Sequence, residues 1–251
     1  MNEKIFEYLI RLADDRLILG HRLSEWCGHA AILEEDIALA NISLDCIGQA
    51  TYLYGAAAEL EGKKRTADDI VYFRDVPEYK NLLLLEQPNV DFAQTIVRQF
   101  LYDAFGILLY DRLQKSQFMP LAGIAQKAVK EIRYHYRHSS QWMLRLGDGT
   151  AESHNRSQQA LNALWKYHDE MFLPDDLENE LSTQGIGVLS SSLKNQWMQN
   201  VSDLLAAATL KLPEVVPYVH KGGREGKHTE HLGHILSEMQ IVARSYPDIT
   251  W

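Results

Sequence analysis

Apolar residues recur along this chain at three- and four-residue spacing, and no sustained alternation of period two competes with them. The first such stretch runs from about Glu3 to Trp26, with Ile5, Leu9, Leu12, Leu19 and Leu23 in one stripe. A second begins near Leu33, where Glu34, Glu35 and Asp36 suit the positive end of a helix dipole. Ile37, Ala40, Leu44, Ile47 and Leu53 carry it to about Glu61, and Gly62 stops it. Asp91 caps a third helix while Gln94 reaches back. It runs through Ile96, Phe100, Ile107 and Leu108 to about Lys115. Pro120 opens a fourth, as proline can in a first turn, and Gly147-Asp148-Gly149 ends it.

The second and third helices are separated by a long segment, roughly Gly62 to Val90, too long for a tight antiparallel turn. Two hairpins of long helices joined by one long crossover predict an all-α, ferritin-like four-helix bundle. Further helices are expected over about Ser153–Met171, Leu193–Leu212 and Thr229–Arg244, each followed by a proline. Without an internal repeat or low-complexity tract, a single domain is expected over residues 1–251. Its core bundle would span about 3–148 and its accessory helices about 151–246.

Composition narrows the class. With 251 residues, 46% hydrophobic and 24% charged, a substantial buried core is expected. The formal charge of −9 argues against nonspecific nucleic-acid binding, which needs a basic face. The acidic N-terminus lacks the apolar core of a signal peptide, and no apolar run approaches the ~18 residues of a membrane span. Cys27 and Cys46 show no spacing suggestive of zinc or a disulfide framework, so a cytoplasmic location is expected.

A bundle of this kind that activates oxygen takes one carboxylate from each of two helices and Glu-x-x-His from each of the other two. Carboxylate oxygens and imidazole nitrogens together suit iron. None of the four long helices contains Glu-x-x-His, and the second carries Asp45-Cys46-Ile47-Gly48-Gln49, a thiol and a neutral amide.

Four segments carry a resemblance. They are Gly20-His21-Arg22-Leu23-Ser24-Glu25-Trp26-Cys27-Gly28-His29-Ala30, Asn81-Leu82-Leu83-Leu84-Leu85-Glu86-Gln87-Pro88-Asn89, Lys130-Glu131-Ile132-Arg133-Tyr134-His135 and His228-Thr229-Glu230-His231-Leu232-Gly233. In order, and across nearly the whole chain, they resemble the phenylacetyl-CoA epoxidase family, the multicomponent ring oxygenase of bacterial phenylacetate degradation. Within it they resemble the structural, non-catalytic ferritin-like subunit.

The resemblance implies a paired loss of ligands. The catalytic paralogue's Asp-Glu-Ala-Gly-His corresponds to Asp45–Gln49, so its ligand glutamate falls on Cys46 and its histidine on Gln49. Its Lys-Glu-Glu-Ser-Phe-His corresponds to Lys130–His135, so the glutamate falls on Ile132 while the histidine survives as His135. Asp103 matches a carboxylate position, and the first-helix position falls near Asp15 or Arg16. An Asp103–His135 or Asp103–Arg16 pair is expected to satisfy these leftovers.

The implied function is a subunit without a cofactor of its own, bracing a di-iron subunit that epoxidises phenylacetyl-CoA. Further small and reductase subunits would complete the complex, and the chain would self-associate when alone. The alternatives are a di-iron oxygenase or ferroxidase with an atypical ligand set, and a stand-alone CoA-thioester binding protein.

Other features have two readings each. Glu78-Tyr79-Lys80-Asn81 sets a carboxylate, an aromatic ring, a cation and an amide side by side, which suits a peripheral contact with CoA or a solvated turn. His228, His231 and His234 fall at three-residue steps, but residues so spaced usually cap a helix, pack or contact a partner. Lys221-Gly222-Gly223-Arg224-Glu225-Gly226-Lys227 could cradle a phosphate, yet it lacks the Walker pattern and reads equally as a connector. Trp26, Trp142, Trp165, Trp197 and Trp251 are expected in core or interface, and Cys46 as a small apolar filler.

Overall fold

The structure is a computed structural model that describes residues 1–214 and 218–247. Trp251 therefore lies outside the described residues. Among those described, all regular structure is helical: α1 (Asn2–Ser24), α2 (Leu33–Glu61), α3 (Ala67–Tyr72), α4 (Phe92–Leu113), α5 (Met119–Gly147), α6 (Ala151–Leu164), α7 (Asp176–Thr183), α8 (Lys194–Ala207) and α9 (Glu230–Ser245). No described helix is long and apolar enough to cross a membrane. The chain packs as two compact units, Met1–Gln87 with Gly222–Trp251, and Pro88–Lys221.

In the first unit, α1 and α2 form an antiparallel hairpin. The Ser43 hydroxyl of α2 donates to the Gly20 carbonyl of α1 at 2.7 Å, and farther along Tyr54 of α2 donates to Asp14. Every residue of α1 from Tyr8 to Gly20 is buried, including Arg11, Asp14, Asp15 and Arg16. Burying that many charges requires partners. Gly62 ends α2 in the left-handed conformation (φ 67°), its N–H bonded to Ala58. The crossover then forms α3, held by a Thr66–Asp69 capping box, and a 3-10 turn at Val76–Glu78. Elements this short show no hydrophobic period, which is why the pattern missed them.

One expectation fails on α2. Ile37 and Leu44, read as part of its buried stripe, are 53% and 65% exposed, whereas Leu39, Ile42, Cys46, Leu53 and Tyr54 face the interior. The helix is apolar around so much of its circumference that periodicity could not single out the inner face.

In the second unit, α4 and α5 pair antiparallel, with Phe92 edge-on to Trp142 (5.0 Å) and Phe100 stacked on Tyr136 (6.0 Å). Nearly all of α4 is buried, and α6 and α8 also pack on it. The helix expected over Ser153–Met171 is α-helical only to Leu164 and continues as 3-10 over Trp165–Phe172. The tighter winding brings Trp165, Tyr167, His168, Met171 and Phe172 into the core. Likewise Leu193–Leu212 ends early, at Ala207, where Thr209 turns left-handed (φ 58°) and its hydroxyl donates to Gly147 at 3.0 Å.

Trp197, fully buried, donates its indole N–H to the Leu101 carbonyl at 3.0 Å. His168 stacks on Trp165 (4.2 Å) and on Trp197 (5.5 Å), which also stack on each other (5.8 Å), and its Nδ1 donates to the Trp165 carbonyl. Burial lowers the His168 pKa below its ordinary 6.5. The unfolded chain therefore takes up this proton first, so the associated stability is fully present above pH 6.5 and lost as pH falls through the folded value. Urea unfolding midpoints should fall between pH 7.5 and pH 5.5, and His168→Phe should shrink that fall. An identical pH dependence in the variant would contradict this assignment.

Candidate functional site

Among the described residues, the first unit holds three buried carboxylates, Asp14, Asp15 and Glu86, each answered by the crossover or the C-terminal segment. Adjacent residues of a helix point about 100° apart, so Asp14 and Asp15 recruit different partners. Asp14 accepts from both Arg74 Nη atoms, from the Tyr54 hydroxyl and from the Lys80 backbone N–H at 2.7 Å. The Arg74 guanidinium also lies 4.1 Å over the Tyr79 ring. Burial pulls Arg74 down, but the charge and hydrogen bonds of Asp14, together with the Tyr54 and Tyr79 hydroxyls, outweigh it and hold Arg74 above its ordinary value.

Asp15 receives a two-pronged grip from Arg224, Nη1 to Oδ1 at 3.0 Å and Nη2 to Oδ2 at 2.8 Å, while Leu82 N–H donates to Oδ1 at 2.9 Å. Arg224 reaches on to the carbonyls of Arg11 and Lys80. Complete burial pushes Asp15 above the usual carboxylate value, with Arg224 and the Leu82 N–H opposing.

Glu86 Oε1 accepts from Thr229 N–H (2.6 Å) and its hydroxyl (2.8 Å). Its Oε2 accepts from Asn81 Nδ2 (3.0 Å) and faces His228 Nδ1 at 2.9 Å. The other ring nitrogen, His228 Nε2, donates to the Tyr79 carbonyl at 2.9 Å.

Among the positions expected to have held ligands, Asp15 is thus committed to Arg224 and Leu82. Cys46 is a fully buried thiol outside any disulfide, packed towards Gly20, where the missing side chain lets α1 and α2 approach closely. Gln49 is also buried on α2. In the second unit Asp103, Ile132 and His135 are all fully buried. Asp103 accepts from Gln99 Nε2 at 2.7 Å and from Ser139 Oγ at 2.8 Å, which places it beside α5 one turn beyond His135. Among the described residues, no group of three or more His, Cys, Asp or Glu is placed to hold a metal ion.

The crossover quartet divides. Tyr79 is fully buried, its hydroxyl donating to the Val71 carbonyl at 2.5 Å, and burial pushes that hydroxyl well above its ordinary pKa. Asn81 is buried against Glu86 and the Leu82 carbonyl. Glu78 is exposed and caps Asp75 N–H, and Lys80 lines an open groove of about 440 Å³ with Phe6, Arg65 and Glu78. The aromatic ring and the amide are structural; only Glu78 and Lys80 remain for a surface contact.

The histidine triplet divides too. His228 precedes the helix, and α9 begins at Glu230, so the three imidazoles do not share one helical face. In the glycine-rich loop, Arg224 turns inward and Lys227 pairs with Glu225 at 2.6 Å. Sequence reasoning missed Asp14, Arg74, Arg224 and Glu86. The one available signal was Asp14-Asp15-Arg16 interrupting an apolar stripe.

All 251 residues match the family model described as phenylacetic acid catabolic protein. The chain belongs to that family. The phenylacetic acid catabolic proteins are ferritin-like helical bundles, and the all-helical chain with its two long antiparallel hairpins has that fold. A relative from Escherichia coli (strain K12), the C-type subunit of 1,2-phenylacetyl-CoA epoxidase, is 46% identical over 244 residues, covering 97% of this chain and 98% of that protein.

Proposed function

We propose that this phenylacetic acid catabolic protein is the non-catalytic structural subunit of a multicomponent di-iron monooxygenase that epoxidises phenylacetyl-CoA in phenylacetate degradation. In this reading it braces a catalytic di-iron subunit, and small and reductase subunits complete the assembly. The observation that carries it is the fate of Asp15. Both oxygens of this surviving carboxylate are taken by Arg224 and the Leu82 N–H. A guanidinium at that point contributes a positive charge where two irons would need negative oxygen donors. Cys46 and Ile132 supply no carboxylate, and Gln49 supplies a neutral amide. This donor set does not fit two irons. The similarity to a relative named as the C-type component of the epoxidase supports the reading, and CoA contact, if made, falls to Lys80 and Glu78 at the groove.

The test is metal analysis and turnover. Purified after expression with iron in excess, the chain should hold well under one iron per molecule and should not oxidise phenylacetyl-CoA alone. Mixed with the paralogue that carries both Glu-x-x-His motifs, it should co-elute in size exclusion and raise that paralogue's activity. Stoichiometric iron bound to this chain would overturn the proposal.

A further inference from the structure

Resting on that reading, we propose that the outer face of α2 is the docking surface for a different, helical chain whose interface has an apolar ridge and a Lys/Arg rim. Leu33, Ile37, Leu44, Gly48, Thr51 and Gly55 fall within about a 60° sector of the helix and extend about 33 Å along it. Leu33 and Leu44 are 71% and 65% exposed, and Ile37 is 53% exposed. Tyr52, 52% exposed, borders the stripe. A Cβ added at Gly48 or Gly55 would meet nothing within 4 Å, so the face is open to close approach. Thr51, the one hydroxyl, spends its hydrogen bond on the Ile47 carbonyl at 2.9 Å. The stripe therefore presents apolar surface without a polar group that water must satisfy. Contiguous exposed surface of this kind marks interfaces.

Charge selects the occupant. The acidic residues of α2 are Glu34, Glu35, Asp36, Asp45, Glu59 and Glu61, and the helix has no Lys, Arg or His. Glu34 and Glu59 are exposed at its two ends, on the same edge of the stripe. A second copy docking through this face in antiparallel order would bring Glu34 towards the other copy's Glu59, and in parallel order would set this edge against the opposite edge of the stripe, where Asp36 lies. Neither order meets a basic residue, because α2 has none, and facing like charges disfavour the pairing. A partner with basic residues flanking its apolar ridge turns the same edge into attraction. The stripe alone, roughly 33 Å by 10 Å, is smaller than the ~800 Å² per side of a standard interface. The partner must therefore cover neighbouring surface as well, as a folded helical protein can and a single peptide helix cannot.

The experiment measures the Kd between the full chain and the paralogue bearing both Glu-x-x-His motifs, for wild type, Leu44→Lys and Glu34→Lys/Glu59→Lys. Leu44→Lys should weaken binding on the order of 30-fold, as loss of an interface anchor does, with the melting temperature unchanged because the position is exposed. The double charge reversal should weaken it about tenfold and flatten its salt dependence. Binding by Leu44→Lys within twofold of wild type would overturn the docking surface while leaving the proposed function standing. Absence of wild-type binding would instead overturn the proposed function. A wild-type homodimer that Leu44→Lys converts to monomer would overturn the choice of a different chain.

Discussion

Replacing Asp14 by Ala should destabilise the protein by about 3–5 kcal/mol, the usual cost of removing one partner from a buried ion pair. Asp14 is fully buried and accepts from Arg74, Tyr54 and the Lys80 N–H. Without it the Arg74 guanidinium keeps the carbonyls of Ile70 and Glu78, the Tyr54 hydroxyl and the face of the Tyr79 ring. Neutral dipoles and a π face do not neutralise a buried cation. Arg74→Met in the Asp14→Ala background should restore much of the loss, because an apolar pair of similar volume has no charge to desolvate. Urea unfolding at pH 7 reads both effects. A loss below about 1 kcal/mol for the single variant would show that solvent reaches this pair.

Gly226→Ala is the second large effect. Gly226 is left-handed (φ 78°), and a Cβ there would collide with the Pro77 carbonyl oxygen, a backbone atom that cannot rotate away. Gly28 provides the control, since its φ is 77° but nothing lies within 4 Å of an added Cβ. Gly28→Ala should therefore cost only the left-handed strain, about 1–2 kcal/mol. Gly226→Ala should add about 1–3 kcal/mol of overpacking and lift the loop from the crossover. Arg224, two residues earlier, would then release Asp15, and His228, two residues later, would release Glu86. Hydrogen exchange at the Leu82 and Thr229 amides, which donate to those carboxylates, should speed up in Gly226→Ala and not in Gly28→Ala. Equal exchange in the two variants would rule out the locking role assigned to this loop.

The long helices were legible because each repeats its apolar period several times and is bounded by residues with a capping mechanism. Asp91 accepts from the Gln94 N–H, and Gly62 is left-handed after α2, as expected. Six- and eight-residue helices offer less than two or three turns of period, so α3 and α7 had no comparable signal. At Trp165–Phe172 the apolar pattern was read correctly, but aromatic packing around Trp197 tightened the winding. The candidate site was legible as positions and not as partners. Asp15, Cys46, Gln49, Asp103, Ile132 and His135 were named through what the family resemblance implies, and nothing local to Asp15 announces an arginine 209 residues away.

By itself, the sequence determined the all-helical class, the four long helices and the absence of Glu-x-x-His from them, because periodicity, caps and residue chemistry are local properties. Tertiary structure decided which face of α2 is buried and which buried charge meets which partner. It also decided that Tyr79, Asn81 and His228 turn inward. Those outcomes depend on which segments close over a given carboxylate, and a buried charge takes whatever partner the fold brings within hydrogen-bond reach.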